Sequence, residues 1–329
     1  MAPRYGQVVV GPPGAGKTTF CDGMQQYLKL LQRDVAVINL DPANEDNLPY
    51  EAVYDVCKEV VNLSSVMEKT GLGPNGGLVY CMEYMEEHVA EMLTEIRSRL
   101  KDKTYIVMDL PGQVELYTHS HCVQNLLQTM VKTWDLRLTA VQLIDSQYCT
   151  DAHKFLSAAL LGTTTMLRLE LPTVNVLSKV DLLTQYGGEL PFSLEYFTDC
   201  YELERLVPFL DEKANETVDL SEDVDYVRAV QLRRQSQSFR KYARLHESIA
   251  DVVGDFGLLS FMPLDISDAE SVGRVLGRID KANGYIFTGD SVPSDLFQCA
   301  VQSDMHSTAV ADIQERISKA DSIVDEWKR

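Results

Sequence analysis

The stretch Gly11-Pro12-Pro13-Gly14-Ala15-Gly16-Lys17-Thr18 decides how the surrounding chain folds. It follows the β-branched run Gln7–Val10 and opens the amphipathic segment Thr18–Leu31, so a strand, a glycine-rich turn and a helix follow one another. Its spacing is G-x-x-x-x-G-K-[ST], in which backbone N–H groups at a helix N-terminus surround a phosphate. We therefore predict a nucleoside triphosphate site, with phosphate bound by Lys17 and by the N–H groups of Gly14, Ala15, Gly16, Lys17, Thr18 and Thr19.

Short β-branched runs alternate with amphipathic segments through the first half of the chain. This alternation is typical of parallel strands joined by crossover helices. The sequence therefore predicts an α/β fold, a doubly wound and mostly parallel sheet of the P-loop NTPase type with a helical insertion. The further strands are predicted at Val35–Leu40, Tyr105–Met108, Leu138–Ile144 and Thr173–Leu177, and the further helices at Glu86–Leu100 and Asp151–Leu169.

The regular alternation stops near residue 186. We predict a main domain over residues 1–287, with a helical insertion at about 186–257, and a variable polar tail over 288–329. Seven carboxylates lie in the segment 211–225, and six Arg or Lys follow in 226–244. Such charge runs usually form solvated faces, and docking of an acidic partner is the alternative. Residues 259–264 are predicted as a strand and 269–283 as a helix.

Composition narrows the classes of function. The 329 residues include 30 Lys and Arg against 49 Asp and Glu, which gives a net charge of −19 and disfavours direct binding of nucleic acid. The seven cysteines form no C-x-x-C pair, which is typical of a reducing compartment. Neither a signal peptide nor an apolar run of about 18 residues is apparent, so we expect a cytoplasmic protein without a membrane partner.

A second motif, Asp109-Leu110-Pro111-Gly112-Gln113, directly follows the predicted strand Tyr105–Met108. Asp109 is placed at the end of a strand, where a carboxylate holds Mg²⁺ in nucleotide hydrolases, and Thr18 supplies a hydroxyl to the same ion. Gly112 can offer its N–H to the γ-phosphate, and Gln113 lies beside it. A purely structural turn is the alternative reading of the motif on its own.

Ser178-Lys179-Val180-Asp181 follows the predicted strand Thr173–Leu177 and indicates which base is bound. The Asp181 carboxylate can accept hydrogen bonds from the N1–H and the exocyclic amine of guanine, and adenine lacks that donor pair. The stem of Lys179 would lie along the purine. We therefore predict GTP and GDP as substrate and product, and assign Phe261–Asp265 to a further loop near the guanine oxygen.

Two further segments extend the candidate site. Asp41 follows the second predicted strand and could orient or deprotonate the attacking water, alone or with Gln113, whereas a turn cap before Pro42 is the alternative. Gly73-Pro74-Asn75-Gly76-Gly77 is dense in turn-forming residues, and a simple turn is its local interpretation.

The order of these motifs resembles the GPN-loop GTPases over roughly residues 7–285. The segments that carry the resemblance are Asn39–Ala43, Gly73–Gly77, Asp109–Glu115 and Lys281–Gly284, and those at Tyr80–Tyr84, Trp134–Ala140 and Asp145–Asp151 are similar to the second of three eukaryotic paralogues. The resemblance implies that Asn75 stabilises phosphate across a dimer interface, in a homodimer or a heterodimer with a GPN-loop paralogue. It also implies a role in assembling RNA polymerase II and III, with polymerase subunits or assembly factors as partners, and a protein that shuttles to the nucleus.

The predicted catalytic set is Lys17, Asp41, Asn75 and Gln113. Two other functions use the same phosphate loop. A nucleotide or polynucleotide phosphotransferase would need an arginine-rich lid, for which 228–244 is a poor candidate. An assembly adaptor would bind the nucleotide for stability and turn over negligibly.

Overall fold

The computed structural model describes residues 3–45, 48–185, 192–210 and 237–288, together with 310–311 and 313–314. The chain divides into two compact units. The first consists of Met1–Asp145, Thr165–Lys179 and Leu264–Met305, and the second of Ser146–Thr164, Val180–Pro263 and His306–Arg329.

A parallel sheet forms the centre of the first unit. The six strands that belong to this unit are β1 Arg4–Val10, β2 Val35–Asn39, β3 Ala52–Asp55, β4 Tyr105–Asp109, β5 Leu136–Asp145 and β6 Thr173–Ser178. They lie in the order β3-β2-β4-β1-β5-β6, and every recorded pairing among them is parallel. The register aligns Asn39 with Asp109 and Asp145 with Ser178, so the polar motifs that follow these strands emerge at one edge.

Helices precede and follow these strands along the described parts of the chain. Their bounds are α1 Lys17–Leu30, α2 Val56–Glu59, α3 Leu63–Thr70, α4 Pro74–Glu87, α5 Val89–Arg99, α6 Glu115–Thr118, α7 Cys122–Trp134, α8 Ala152–Leu169, α9 Leu194–Asp199, α10 Gln237–Phe256 and α11 Ala269–Asn283.

Helices cover both faces of the sheet, as the doubly wound prediction requires. On one face, α4, α5 and α7 bury side chains such as Met82, Ile96 and Leu126 against Val8 and Ile106. On the other, α1 and α11 pack against β2, β4 and β5. Burying one such aliphatic side chain contributes about 1.5–3 kcal/mol, which offsets the entropy lost in ordering the chain. The predicted α/β class is confirmed.

The second unit contains α9, α10 and the short strand β7, Phe261–Pro263. Phe155 packs edge-on against Phe197 and Phe261, with ring centroids 4.9 and 6.0 Å apart. The predicted insertion at 186–257 falls within this unit, but the acidic segment 211–225 and residues 226–236 lie outside the described residues.

The tail predicted at 288–329 lies almost wholly outside the described residues. Within it, Val310 and Ile313 are helical and buried. Across the described parts of the chain, every helix is too short or too polar to cross a membrane.

Several elements differ from the sequence-based predictions. The helix predicted at Glu86–Leu100 is two helices, because the chain leaves helical geometry at His88 (ψ 15°) between α4 and α5. The predicted turn at Gly73–Gly77 is instead the start of α4, with Pro74 at its first position. Proline suits that position because its fixed φ matches the helix and the N–H that it lacks has no partner there. Strand β3 was absent from the prediction, and β7 is shorter than the predicted 259–264.

Candidate functional site

The phosphate loop adopts the conformation that its glycines permit. Gly14 and Gly16 have φ of 79° and 86°, in the left-handed region that other residues avoid. Helix α1 begins at Lys17, without a side-chain cap at Gly16 and without an acidic residue in its first turn. The N–H groups at this helix end are therefore free of side-chain caps and carry the positive end of the helix dipole.

The Lys17 amine is the centre of the site. Lys17 is 8% exposed, and its Nζ donates to the Pro12 carbonyl over 3.3 Å. Burial lowers its pKa, and the nearby Asp109 and Asp41 carboxylates raise it. A methyl group on Gly112 would lie 2.6 Å from this nitrogen, so the second motif passes directly beside the phosphate loop. The structure thus brings together Lys17, Asp41, Asp109 and Gly112.

Asp109 ends β4 and is 1% exposed. Burial raises its pKa to about 6, although hydrogen bonds from Tyr50 and Thr18 lower it. Tyr50 Oη donates to Oδ2 over 2.9 Å, whereas Oδ1 is buried without a hydrogen-bond partner. A carboxylate oxygen that has no hydrogen-bond partner and lies near a threonine hydroxyl suits a hard cation such as Mg²⁺.

No group of three or more His, Cys, Asp or Glu in the described residues could hold a metal ion. A Mg²⁺ ion bound by one or two protein side chains usually takes its other ligands from phosphate and water, and Asp109 and Thr18 would suit that arrangement.

Asp41 lies in a tight network after β2. Its Oδ1 accepts from Ala43 N over 2.9 Å, and its own N–H donates to Asn39 Oδ1 over 3.1 Å. Burial raises the pKa of this carboxyl group. The turn cap considered from the sequence is thus present, and a role toward water remains a prediction.

Gln113 follows Gly112 in the second motif. Its amide nitrogen donates to the Glu115 carboxylate, and its Oε1 is buried without a partner. A buried acceptor of this kind is costly unless a further donor reaches it.

Ser178 and Lys179 contact the phosphate loop. Ser178 Oγ donates to the Ala15 carbonyl over 2.8 Å, and Lys179 Nζ donates to the Gly14 carbonyl over 2.6 Å and to Asp145 over 2.7 Å. Lys179 has a φ of 60°, in the left-handed region. In the second unit, Val180 is buried and Asp181 is exposed, in the 3₁₀ helix Val180–Gln185.

Asn75 lies apart from these contacts. It is exposed in the first turn of α4, as are its neighbours Gly73, Pro74 and Gly76. Leu72 and Tyr80 near it are 40% and 43% exposed.

Sequence reasoning missed Tyr50. It belongs to no recognised motif and lies 59 residues from Asp109 along the chain, so only the three-dimensional fold reveals their hydrogen bond.

The family model described as "Conserved hypothetical ATP binding protein" matches residues 9–285. The chain is 44% identical to GPN-loop GTPase 2 of Danio rerio, over 95% of this chain and 92% of the relative. It is 43% identical to GPN-loop GTPase QQT1 of Arabidopsis thaliana, over 98% and 99%, and 37% identical to GPN-loop GTPase 2 of Saccharomyces cerevisiae, over 95% and 84%.

Among solved structures, a GTPase in apo form from Pyrococcus abyssi matches with a TM-score of 0.59 and 23% identity, over 84% of this chain and 97% of that one. This likeness concerns the fold alone. The predicted resemblance, including that to the second paralogue, is confirmed by the curated relatives. By sequence over nearly its whole length, this chain belongs to the GPN-loop GTPases, P-loop enzymes that hydrolyse GTP.

Proposed function

We propose that this protein hydrolyses GTP to GDP and phosphate with Mg²⁺, in a site that a second GPN-loop subunit completes. One observation carries the proposal. The Lys17 amine, the Gly112 backbone and the carboxyl groups of Asp41 and Asp109 gather beyond three adjacent strands, β1, β2 and β4. A buried amine and a loop of N–H groups can bind the phosphates of a nucleotide.

Each group has a role in this proposal. Lys17 and the N–H groups of residues 14–19 bind the phosphates, and Thr18 and Asp109 hold Mg²⁺. The bound ion neutralises negative charge that develops on the phosphates. The Asp41 carboxylate accepts a hydrogen bond from the attacking water, and the Gln113 amide helps to orient it.

A steady-state assay with GTP and Mg²⁺ tests the reaction. We expect labelled free phosphate, and Lys17→Ala should abolish it by weakening GTP binding. A label transferred to an added nucleotide or polynucleotide acceptor would instead identify a phosphotransferase. Nucleotide binding without turnover by the assembled dimer would identify an adaptor.

Guanine recognition is assigned to Ser178, Lys179, Val180 and Asp181. The names of the curated relatives support GTP, whereas the description of the family model refers to ATP. A competition titration of GTP against ATP on the wild-type protein decides between the two bases. We expect ATP to compete poorly.

The second subunit is proposed to supply Asn75. This is supported by the exposure of Asn75 and of the apolar Leu72 and Tyr80 beside it, since such a surface suits contact with another chain. Mixing Lys17→Ala with Asn75→Ala subunits tests it, because a mixed dimer pairs one intact phosphate loop with an intact Asn75 from the other chain. We expect turnover to return on mixing. Two variants that stay inactive after mixing would place Asn75 in its own subunit's site.

The cellular role is proposed from the family resemblance. The protein would assist the assembly of RNA polymerase II and III, with polymerase subunits, assembly factors or a GPN-loop paralogue as partners, and would shuttle between cytoplasm and nucleus. Depletion should leave polymerase subunits in the cytoplasm, as measured by imaging. Normal nuclear import of the polymerases after depletion would contradict this role.

A further inference from the structure

Tyr50 donates a hydrogen bond to one oxygen of the Asp109 carboxyl group and not to the other. Its hydroxyl donates to Oδ2 over 2.9 Å, and both residues are buried, with Tyr50 5% and Asp109 1% exposed. Oδ1 is buried too and has no hydrogen-bond partner. The two oxygens of this carboxyl group therefore differ, since Oδ2 accepts a hydrogen bond from Tyr50 and Oδ1 does not.

We propose that Tyr50 is a positioning residue, which fixes the plane of the Asp109 carboxylate and keeps Oδ1 available for Mg²⁺ or a water bound to it. This inference rests on the proposed magnesium site. A carboxylate turns about its last side-chain bond over a broad range of angles, so the donors that reach it select its orientation. Thr18, the other donor to Asp109, is itself assigned to the ion, whereas Tyr50 is not. Partners of this kind, one step removed from the ion, orient metal ligands in many proteins.

Helix α1 keeps Tyr50 in place through the next residue along the chain. Gln25 Nε2 donates to the Glu51 carbonyl over 2.9 Å, and the Glu51 N–H donates back to Gln25 Oε1 over 3.1 Å. Lys29 Nζ lies 2.7 Å from the Glu51 carboxylate. Gln25 is 4% exposed, so this paired amide contact is shielded from water.

The same helix therefore serves both parts of the site. Its first residue is Lys17, in the phosphate loop, and Gln25 in its third turn binds the backbone of Glu51, next to Tyr50. Phosphate binding and carboxylate orientation thus depend on one rigid element, which is the arrangement that keeps a site in register.

The chain offers a matched control in Tyr54. It lies on β3, is 1% exposed, and has a hydroxyl without a hydrogen-bond partner. Tyr54→Phe and Tyr50→Phe each remove one buried hydroxyl group, but only the second removes a contact with Asp109.

The experiment is a titration of MgCl₂ on full-length wild type, Tyr50→Phe and Tyr54→Phe, each with a fluorescent GTP analogue. We expect Tyr50→Phe to raise the Mg²⁺ concentration for half-maximal binding about tenfold, at the lower end of the effect of losing such a partner. Binding of the analogue in EDTA should be unchanged, and Tyr54→Phe should behave as wild type.

Three results would overturn the inference. One is an unchanged Mg²⁺ requirement in Tyr50→Phe while wild type depends on Mg²⁺, even if its melting temperature falls, because the hydroxyl would then be structural only. Another is an equal shift in Tyr54→Phe. The third is binding of the analogue to wild type that does not depend on Mg²⁺. That result would contradict the proposed magnesium site itself, and with it the role of Tyr50.

Discussion

The N-termini of helices α1 and α4 both follow a glycine, but they differ in how far other residues enclose them. Helices α1 and α4 each have 14 residues, a glycine N-cap without a side-chain hydrogen bond, and no acidic residue in the first turn. The start of α1 is enclosed by Gly112, Ser178 and Lys179, whereas the start of α4 at Pro74 and Asn75 is exposed.

This difference is what we expect if, as proposed, one chain supplies only part of the site. Both helix ends suit an anion, because uncapped N–H groups and the helix dipole are present in each. Only the first is surrounded by the groups that a nucleotide needs. The second is left open, as expected if its ligand is held by another subunit.

The largest expected effect tests the open helix start. Asn75→Ala should lower kcat for GTP by about 10²–10³-fold, because one donor to developing phosphate charge is lost. GTP affinity should stay as in wild type, since the phosphate loop is intact. Glu83→Ala, an exposed change on the same helix, serves as the control. Loss of GTP affinity in Asn75→Ala, measured by titration, would contradict the division between the two helices.

Asp181→Asn should lower the preference for GTP over ATP by about 10²-fold, because a charge-assisted hydrogen bond is worth about 1.5–3 kcal/mol. The amide presents one donor and one acceptor where guanine needs two acceptors. Competition titration measures the ratio, with the exposed Asp251→Asn of α10 as a control. An unchanged ratio of GTP to ATP affinity would show that Asp181 does not recognise the base.

Gly112→Ala should weaken GTP binding about tenfold, since overpacking costs roughly 1–3 kcal/mol. The added methyl group would lie 2.6 Å from Lys17 Nζ and 3.1 Å from the Pro13 backbone, which has little room to move. Gly254→Ala in α10 meets no atom within 4 Å and should bind as wild type. Isothermal titration calorimetry measures the GTP affinity of both variants. Equal affinities for GTP would show that the site tolerates a methyl group at Gly112.

Ser178→Ala should give the smallest effect, a loss of about 1 kcal/mol in the free energy of unfolding. Its buried hydroxyl lies 2.8 Å from the Ala15 carbonyl oxygen and 3.1 Å from that of Ile144, and its one proton can be donated to either. Urea denaturation measures the change, with the exposed Ser98→Ala as a comparison. A stability equal to wild type would show that these carbonyls find other donors.

Local sequence patterns predicted the enclosed helix start well and the open one poorly. The strand before Gly11 and the spacing to Lys17 are contiguous in sequence, and Asp109 directly follows an apolar run, so short windows suffice. The start of α4 was interpreted as a turn because Pro74-Asn75-Gly76-Gly77 contains few helix formers. Proline at the first helical position was the available signal, and packing of Leu78 and Met82 overrides the weak propensity.

Strand β3 and Tyr50 were missed for another reason. Ala52–Asp55 has four residues, too few for periodicity to be evident, and its pairing with β2 is what makes it a strand. The contact between Tyr50 and Asp109 depends on how the sheet brings distant segments together. Such pairs have no signature within a short window of sequence.

The bond from Lys179 Nζ to the Gly14 carbonyl has a thermodynamic consequence. It joins Lys179 of the proposed base-recognition segment to the phosphate loop, so a ligand that orders one of these segments also restricts the other. Binding of the triphosphate and binding of the base should then be cooperative. A nucleoside without phosphates would already stiffen the phosphate loop, and inorganic phosphate would in turn strengthen binding of the nucleoside by the same factor.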